Sequence, residues 1–201
     1  MITRFLIALA LIGGTAAASA PNAHTAWVRA ALARVPVAVG DRLPERIETR
    51  AKNLDLFAVE IARVAPTRER AALLIAIGER ESHYDSEVIA GRCPPARCDV
   101  VVIKGQRIHR ARGAFQGHRL GFVAELWDRA PGDIPAQVAM ADRVLRRSLV
   151  RCKTFAPWPA HVFRAYRGGA EGSCSMPLKD EAARVAAYQR ALATALPKAG
   201  S

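Results

Sequence analysis

The sequence has 201 residues, 51% hydrophobic and 24% charged, and its 30 Lys and Arg against 18 Asp and Glu give a net charge of +12. That length holds one domain with a sizeable core rather than two. The charge excess favours a polyanionic partner, a bacterial wall or nucleic acid, without choosing between them.

The first twenty residues carry one charge, Arg4, followed by the apolar run Phe5 to Ile12 and the small-residue stretch Gly13 to Ala20. This is the layout of a secretory signal peptide, too short to span a bilayer. A cut is expected after Ala18 or after Ala20, where Pro21 would hinder it. Residues 21–201 then form the domain, with a charge of 12 − 1 = +11, exported to the periplasm or secreted, and with no transmembrane anchor.

From Glu45 to Ala65 the apolar residues Ile47, Ala51, Leu54, Ala58, Ile61 and Ala65 recur at steps of three and four, which predicts an amphipathic helix. A second helix is expected from Thr67, whose hydroxyl can cap the free amides while Glu69 suits the positive end of the dipole. It runs through Ala71 to Ile77, apolar nearly all round as a buried central helix is, and stops soon after Glu81. Between Asp85 and Gly121 the glycines, Pro94, Pro95 and the β-branched run Val100 to Ile103 predict loops with room for a short hairpin. Helical spacing returns at Val138, Ala141, Leu145 and Leu149, with Asp142, Arg143, Arg146 and Arg147 on the opposite face. Pro157 and Pro159 open a further helix that sets Trp158, Val162 and Tyr166 four apart, and Gly168 and Gly169 end it. A last helix from about Asp180 stacks Val185, Tyr188, Leu192 and Leu196. The expected class is mainly α in one domain, with a small β excursion.

Four cysteines, Cys93, Cys98, Cys152 and Cys174, are an even number in an exported chain, which favours disulfides. Closing the short loops first pairs Cys93 with Cys98 and Cys152 with Cys174. No zinc spacing is present among these or His109, His118 and His161, so no metal or cofactor is expected.

Three short segments follow in order: Glu81-Ser82-His83-Tyr84-Asp85, Ala111-Arg112-Gly113-Ala114-Phe115-Gln116, and Ala165-Tyr166-Arg167-Gly168-Gly169. Together they resemble the lysozyme-like superfamily of soluble lytic transglycosylases and goose-type lysozymes. The pattern of that family is a glutamate-serine pair ending a buried helix, a glycine-x-x-glutamine turn and an alanine-tyrosine-x-x-glycine helix end. The resemblance covers about Ala71 to Gly169 and rests on order and spacing, since each segment alone is weak. It departs at Gly117-His118-Arg119-Leu120, which lacks the usual proline, and at Arg167, where asparagine is usual.

The resemblance implies an α+β lysozyme-like fold and a muramidase that cleaves the MurNAc-GlcNAc bond of peptidoglycan, with Glu81 as general acid. Apolar surroundings at the end of the helix favour the protonated carboxyl such an acid needs. Ser82, Gly113, Gln116 and Tyr166 map onto positions around the acid or along the sugar groove. Gln116 equally suits a bond to a nearby backbone group, and Tyr166 equally suits the core. Glu79 lies about 200° round the helix from Glu81 and is the control on another face. Capture by water, the hydrolase route, generally wants a second carboxylate, for which Asp85 and Asp99 are the nearest candidates, Asp85 being better suited to capping. The single-acid transglycosylase route is the favoured expectation. The rival reading is an inactive peptidoglycan-binding scaffold. A nucleic-acid partner rests on charge alone, without aromatic-basic alternation, and is not expected.

Overall fold

The computed structural model describes residues 22–92, 99–152, 158–167, 174–175 and 177–195. The expected signal segment, Cys93, Cys98, Gly168, Gly169 and Leu196 lie outside the described residues. Eight α-helices are described: α1 (Ala23–Leu32), α2 (Pro44–Val64), α3 (Arg68–Ser82), α4 (Ser86–Ile89), α5 (Ala124–Arg129), α6 (Ile134–Cys152), α7 (Ala160–Arg167) and α8 (Glu181–Leu192). Two antiparallel ribbons, β1 (Val100–Ile103) with β2 (Gln106–His109) and β3 (Ala111–Arg112) with β4 (Gly117–His118), lie between α4 and α5. The chain is thus mainly helical with small sheets. No described helix is long and apolar enough to cross a membrane.

The Thr67 hydroxyl accepts the Arg70 amide at 3.3 Å and Glu69 stands in the first turn, so α3 begins as the sequence predicts. Every residue from Ala71 to Ile77 is at most 1% exposed. α3 is the central helix, packed most extensively against α8 and also against α1, α2 and α6. It ends where His83 and Tyr84 turn left-handed at φ 54° and 55°. Buried Arg50 of α2 secures that turn, donating to the carbonyls of His83 at 2.7 Å and Tyr84 at 3.2 Å. Its charge is met by buried Asp41, 3.5 Å away, which also accepts the Ser86 amide. Beneath the turn the rings of Phe57, Tyr84 and Phe115 meet edge to face. Gly78 leaves room for this cluster, since a Cβ there would fall 2.4 Å from the Tyr84 ring.

Several stripes differ from the expected ones. In α2 Ile47 is exposed and Arg50 is buried in its stead, because the pairing with Asp41 draws the arginine inward. In α6 Asp142 is buried rather than on the outer face, paired with Arg70 and Arg146. Trp158 precedes α7 and is exposed, so the stripe of that helix is Val162, Phe163 and Tyr166. Helix α1, capped by Asn22 through the Thr25 amide at 2.8 Å, is not among the predicted elements. Its Trp27 donates to the Thr194 carbonyl at 2.9 Å and ties the two ends of the described chain.

The predicted hairpin is β1–β2, with Val101 opposite Ile108, closed by Lys104 and Gly105 at φ 51° and 78°. That is a two-residue turn of the primed kind, whose twist suits a hairpin. Cys152 and Cys174 form the expected disulfide and join the end of α6 to the segment before α8.

Candidate functional site

The Gly113–Gln116 turn joins β3 to β4, and three sets of bonds hold it and the start of β4 against α3, α6 and α5. Ser82 donates from Oγ to the Ala114 carbonyl at 2.7 Å, pinning the turn to the end of α3. Gln137 of α6, fully buried, accepts the Ala114 amide at 2.8 Å and donates to the carbonyls of Ala130 and Ile89 at 2.7 and 3.0 Å. Trp127 of α5 donates to the Gly117 carbonyl at 3.0 Å, and the Arg112 guanidinium covers its ring at 3.7 Å. The first two segments of the motif are therefore fastened together, and Ser82 is the fastener.

A cavity of about 300 Å³ opens beside this turn, and Glu81, Gln116, Tyr166, Asp99, His118 and Arg167 are among its lining. Residues from all three motif segments thus reach one cavity. Glu81 projects from the last turn of α3 and keeps 18% of its side chain exposed. Gln116 donates from Nε2 to the Gly113 carbonyl at 2.9 Å, the backbone role weighed for it, while part of its side chain stays on the cavity wall. Its own backbone is left-handed at φ 46°. Tyr166 is largely buried and its hydroxyl lies 3.4 Å from the Phe115 carbonyl. Burial first and the nearby Glu81 carboxylate second push that hydroxyl well above the ordinary tyrosine value, so it stays neutral and able to donate.

Of the two expected second carboxylates, Asp99 lines the cavity and Asp85 does not. Asp85 is fully buried and accepts the amides of Glu87 and Val88, capping α4. Ser82, expected along the sugar groove, bonds the turn and is not among the residues that line the cavity. Among the described residues no three His, Cys, Asp or Glu side chains converge as metal ligands.

The environment of Glu81 is not the purely apolar one its helix suggests. Arg184 of α8, 1% exposed, donates from Nη1 to Glu81 Oε1 at 2.8 Å. The same guanidinium bonds Asp180 through Nε at 3.1 Å and approaches it through Nη2 at 3.1 Å. Burial works against the charge of Arg184, but Glu81 and Asp180 outweigh it and the net shift is upward. Glu79, the expected control on another face of the helix, is also buried. It is more enclosed than Glu81 and paired with Arg190, so the two carboxylates near the end of α3 both meet arginines of α8. Burial raises the Glu79 carboxyl above its ordinary value despite the opposing Arg190 and Arg80.

Arg184, Asp180 and Gln137 are the site residues that the motifs do not reveal. A weak signal exists for two of them. Arg184 stands one turn before Tyr188, and Gln137 one turn before Ala141, so each is a polar residue on an apolar stripe. No family model, curated protein or solved structure matches the chain.

Proposed function

We propose that the chain is an exported muramidase with a lysozyme-like fold that cleaves the MurNAc-GlcNAc bond of peptidoglycan, with Glu81 as the proton donor. The observation that carries this reading is the meeting of Glu81, Gln116 and Tyr166, one from each of three short segments far apart in sequence, on a single cavity. In the reaction the Glu81 carboxyl gives its proton to the bridging oxygen as the bond from the anomeric carbon breaks. The muramic acid 6-hydroxyl then attacks that carbon and returns its proton to the Glu81 carboxylate. The product is an anhydro sugar and no water is consumed. Asp99 on the same cavity is the carboxylate that could instead serve an attacking water, which would make the product a reducing sugar.

Arg184 favours the second reading, a wall-binding scaffold that does not cut. An arginine at hydrogen-bond distance gives the Glu81 carboxylate a structural partner, as a residue that only holds the fold would have. Digestion of purified peptidoglycan separates the two. The expected result is soluble fragments from the parent chain, loss of at least about a hundredfold in rate for Glu81→Gln, and little change for Glu69→Gln, an exposed residue in the first turn of α3. Glu69 replaces Glu79 as the control because the latter is buried and paired. Mass spectrometry of the fragments shows anhydro ends for the favoured route and ends heavier by one water for hydrolysis. Tight sedimentation with sacculi and no soluble fragments would leave the scaffold reading standing.

A further inference from the structure

A buried arginine hydrogen-bonded to a candidate general acid demands an account, because the three motif segments do not call for it. We propose that Arg184 is a positioning residue that orients Glu81 and sets the pH at which it holds its proton, with Asp180 as the counter-ion that lets it do so. This inference rests on the reading of Glu81 as the proton donor.

The geometry divides the guanidinium between two carboxylates. Nε and Nη2 face the two oxygens of Asp180, each at 3.1 Å, and leave Nη1 for Glu81 at 2.8 Å. Asp180 precedes α8 and Arg184 sits in that helix's first turn, so one short stretch of chain fixes both groups. When Glu81 takes up a proton, Arg184 keeps Asp180, and the buried cation is never left without a partner. A buried guanidinium whose sole partner was Glu81 would resist that step far more, since stranding a buried charge is costly. Arg184 does not line the cavity, whereas Glu81 does. Its influence therefore passes through Glu81 and not through contact with a bound strand.

The other groups facing Glu81 come from every element around it. On α3 these are Arg80 and the more distant Glu79; on α7 they are Tyr166 and Arg167; across the cavity they are His118 of β4 and Asp99 before β1. Arg80 and Arg167 both lean on Asp180, at 3.8 and 3.6 Å. Asp180 thus gathers three arginines, and its removal adds net positive charge beside Glu81.

The two ends of the relay make opposite predictions. In Arg184→Gln the alkaline limb of the rate profile, where the donor loses its proton, should move to higher pH. In Asp180→Asn it should move to lower pH, because Arg184 then belongs to Glu81 alone. Arg184→Lys retains the charge and should return the limb toward its original place. The rates are kcat and KM for release of soluble fragments from purified peptidoglycan, with KM changing less than kcat in all three variants. Asp180 is partly exposed, so its variant keeps the test alive should Arg184→Gln fail to fold. Limbs that move together, or rates that fall equally at every pH with no movement, would overturn the relay while leaving the muramidase standing. A parent chain that releases no fragments at any pH overturns the muramidase and this inference with it.

Discussion

Gly113 is held at φ 71°, and a Cβ there would come within 2.7 Å of the Gln137 side chain. Gln137 has little freedom to retreat, since its amide bonds Ala114, Ala130 and Ile89 at once. Gly113→Ala therefore meets two penalties, left-handed strain of roughly 1–2 kcal/mol and crowding of roughly 1–3 kcal/mol. We expect a stability loss of about 2–4 kcal/mol in urea unfolding, with slower fragment release because Gln116 and the Phe115 carbonyl under Tyr166 are displaced. An unfolding midpoint equal to that of the parent chain would show that the turn yields more easily than its bonds suggest. The grouping of Glu81, Gln116 and Tyr166 was legible in the order of the three segments, but the Arg184 partner of Glu81 was not. Which charges are buried depends on which partners tertiary packing brings up, and Glu79, Asp142, Arg50 and Arg184 all owe their burial to partners at least nine residues away.

At the level of elements, long amphipathic helices were the readable part. Their apolar residues recur over many turns, so α2, α3, α6 and α8 stand close to their expected positions. The short helices α4 and α5 span four and six residues, too few turns for a period to declare itself; α4 lies in the stretch that reads as loop and α5 just beyond it. Arg50 and Arg184 show how a stripe misleads, since each occupies an inward position that periodicity reserves for an apolar side chain. The Cys152–Cys174 bond was legible from cysteine parity and spacing, and it has a measurable consequence. It closes a loop with a sequence separation of 22, and in the chain-entropy account such closure is worth about 3 kcal/mol. Reduction, or Cys152→Ser with Cys174→Ser, should lower stability by that order in urea unfolding. The loss should fall on α7, which lies between the two cysteines and carries Tyr166, so amide exchange there should quicken before exchange in α3. Uniform acceleration across both helices would place the bond's effect on global unfolding instead.

The molecule as a whole carries many more cations than anions, and several of its surface cations are neutralised locally. Arg92 pairs with Glu87, Arg119 with Asp128 and Arg129 with Asp133. What remains is a broad positive field, which raises the local concentration of a polyanion and speeds encounter without defining a site. On the proposed reading the cavity makes a separate contribution, because Glu81, Tyr166 and Gln116 would act on one glycosidic bond at contact distance, where salt screens little. The two contributions separate by ionic strength. Screening shortens the reach of surface charge from about 10 Å at 0.1 M to about 3 Å at 1 M. Association with intact sacculi, measured by sedimentation, should therefore weaken severalfold over that range. Cleavage of short, peptide-free oligosaccharides of the same amino sugars should change less, because with one carboxylate per muramic acid they offer the field little to attract. Equal salt sensitivity for both substrates would move the electrostatic contribution from the surface into the cavity, where Arg167 is a cation placed to supply it.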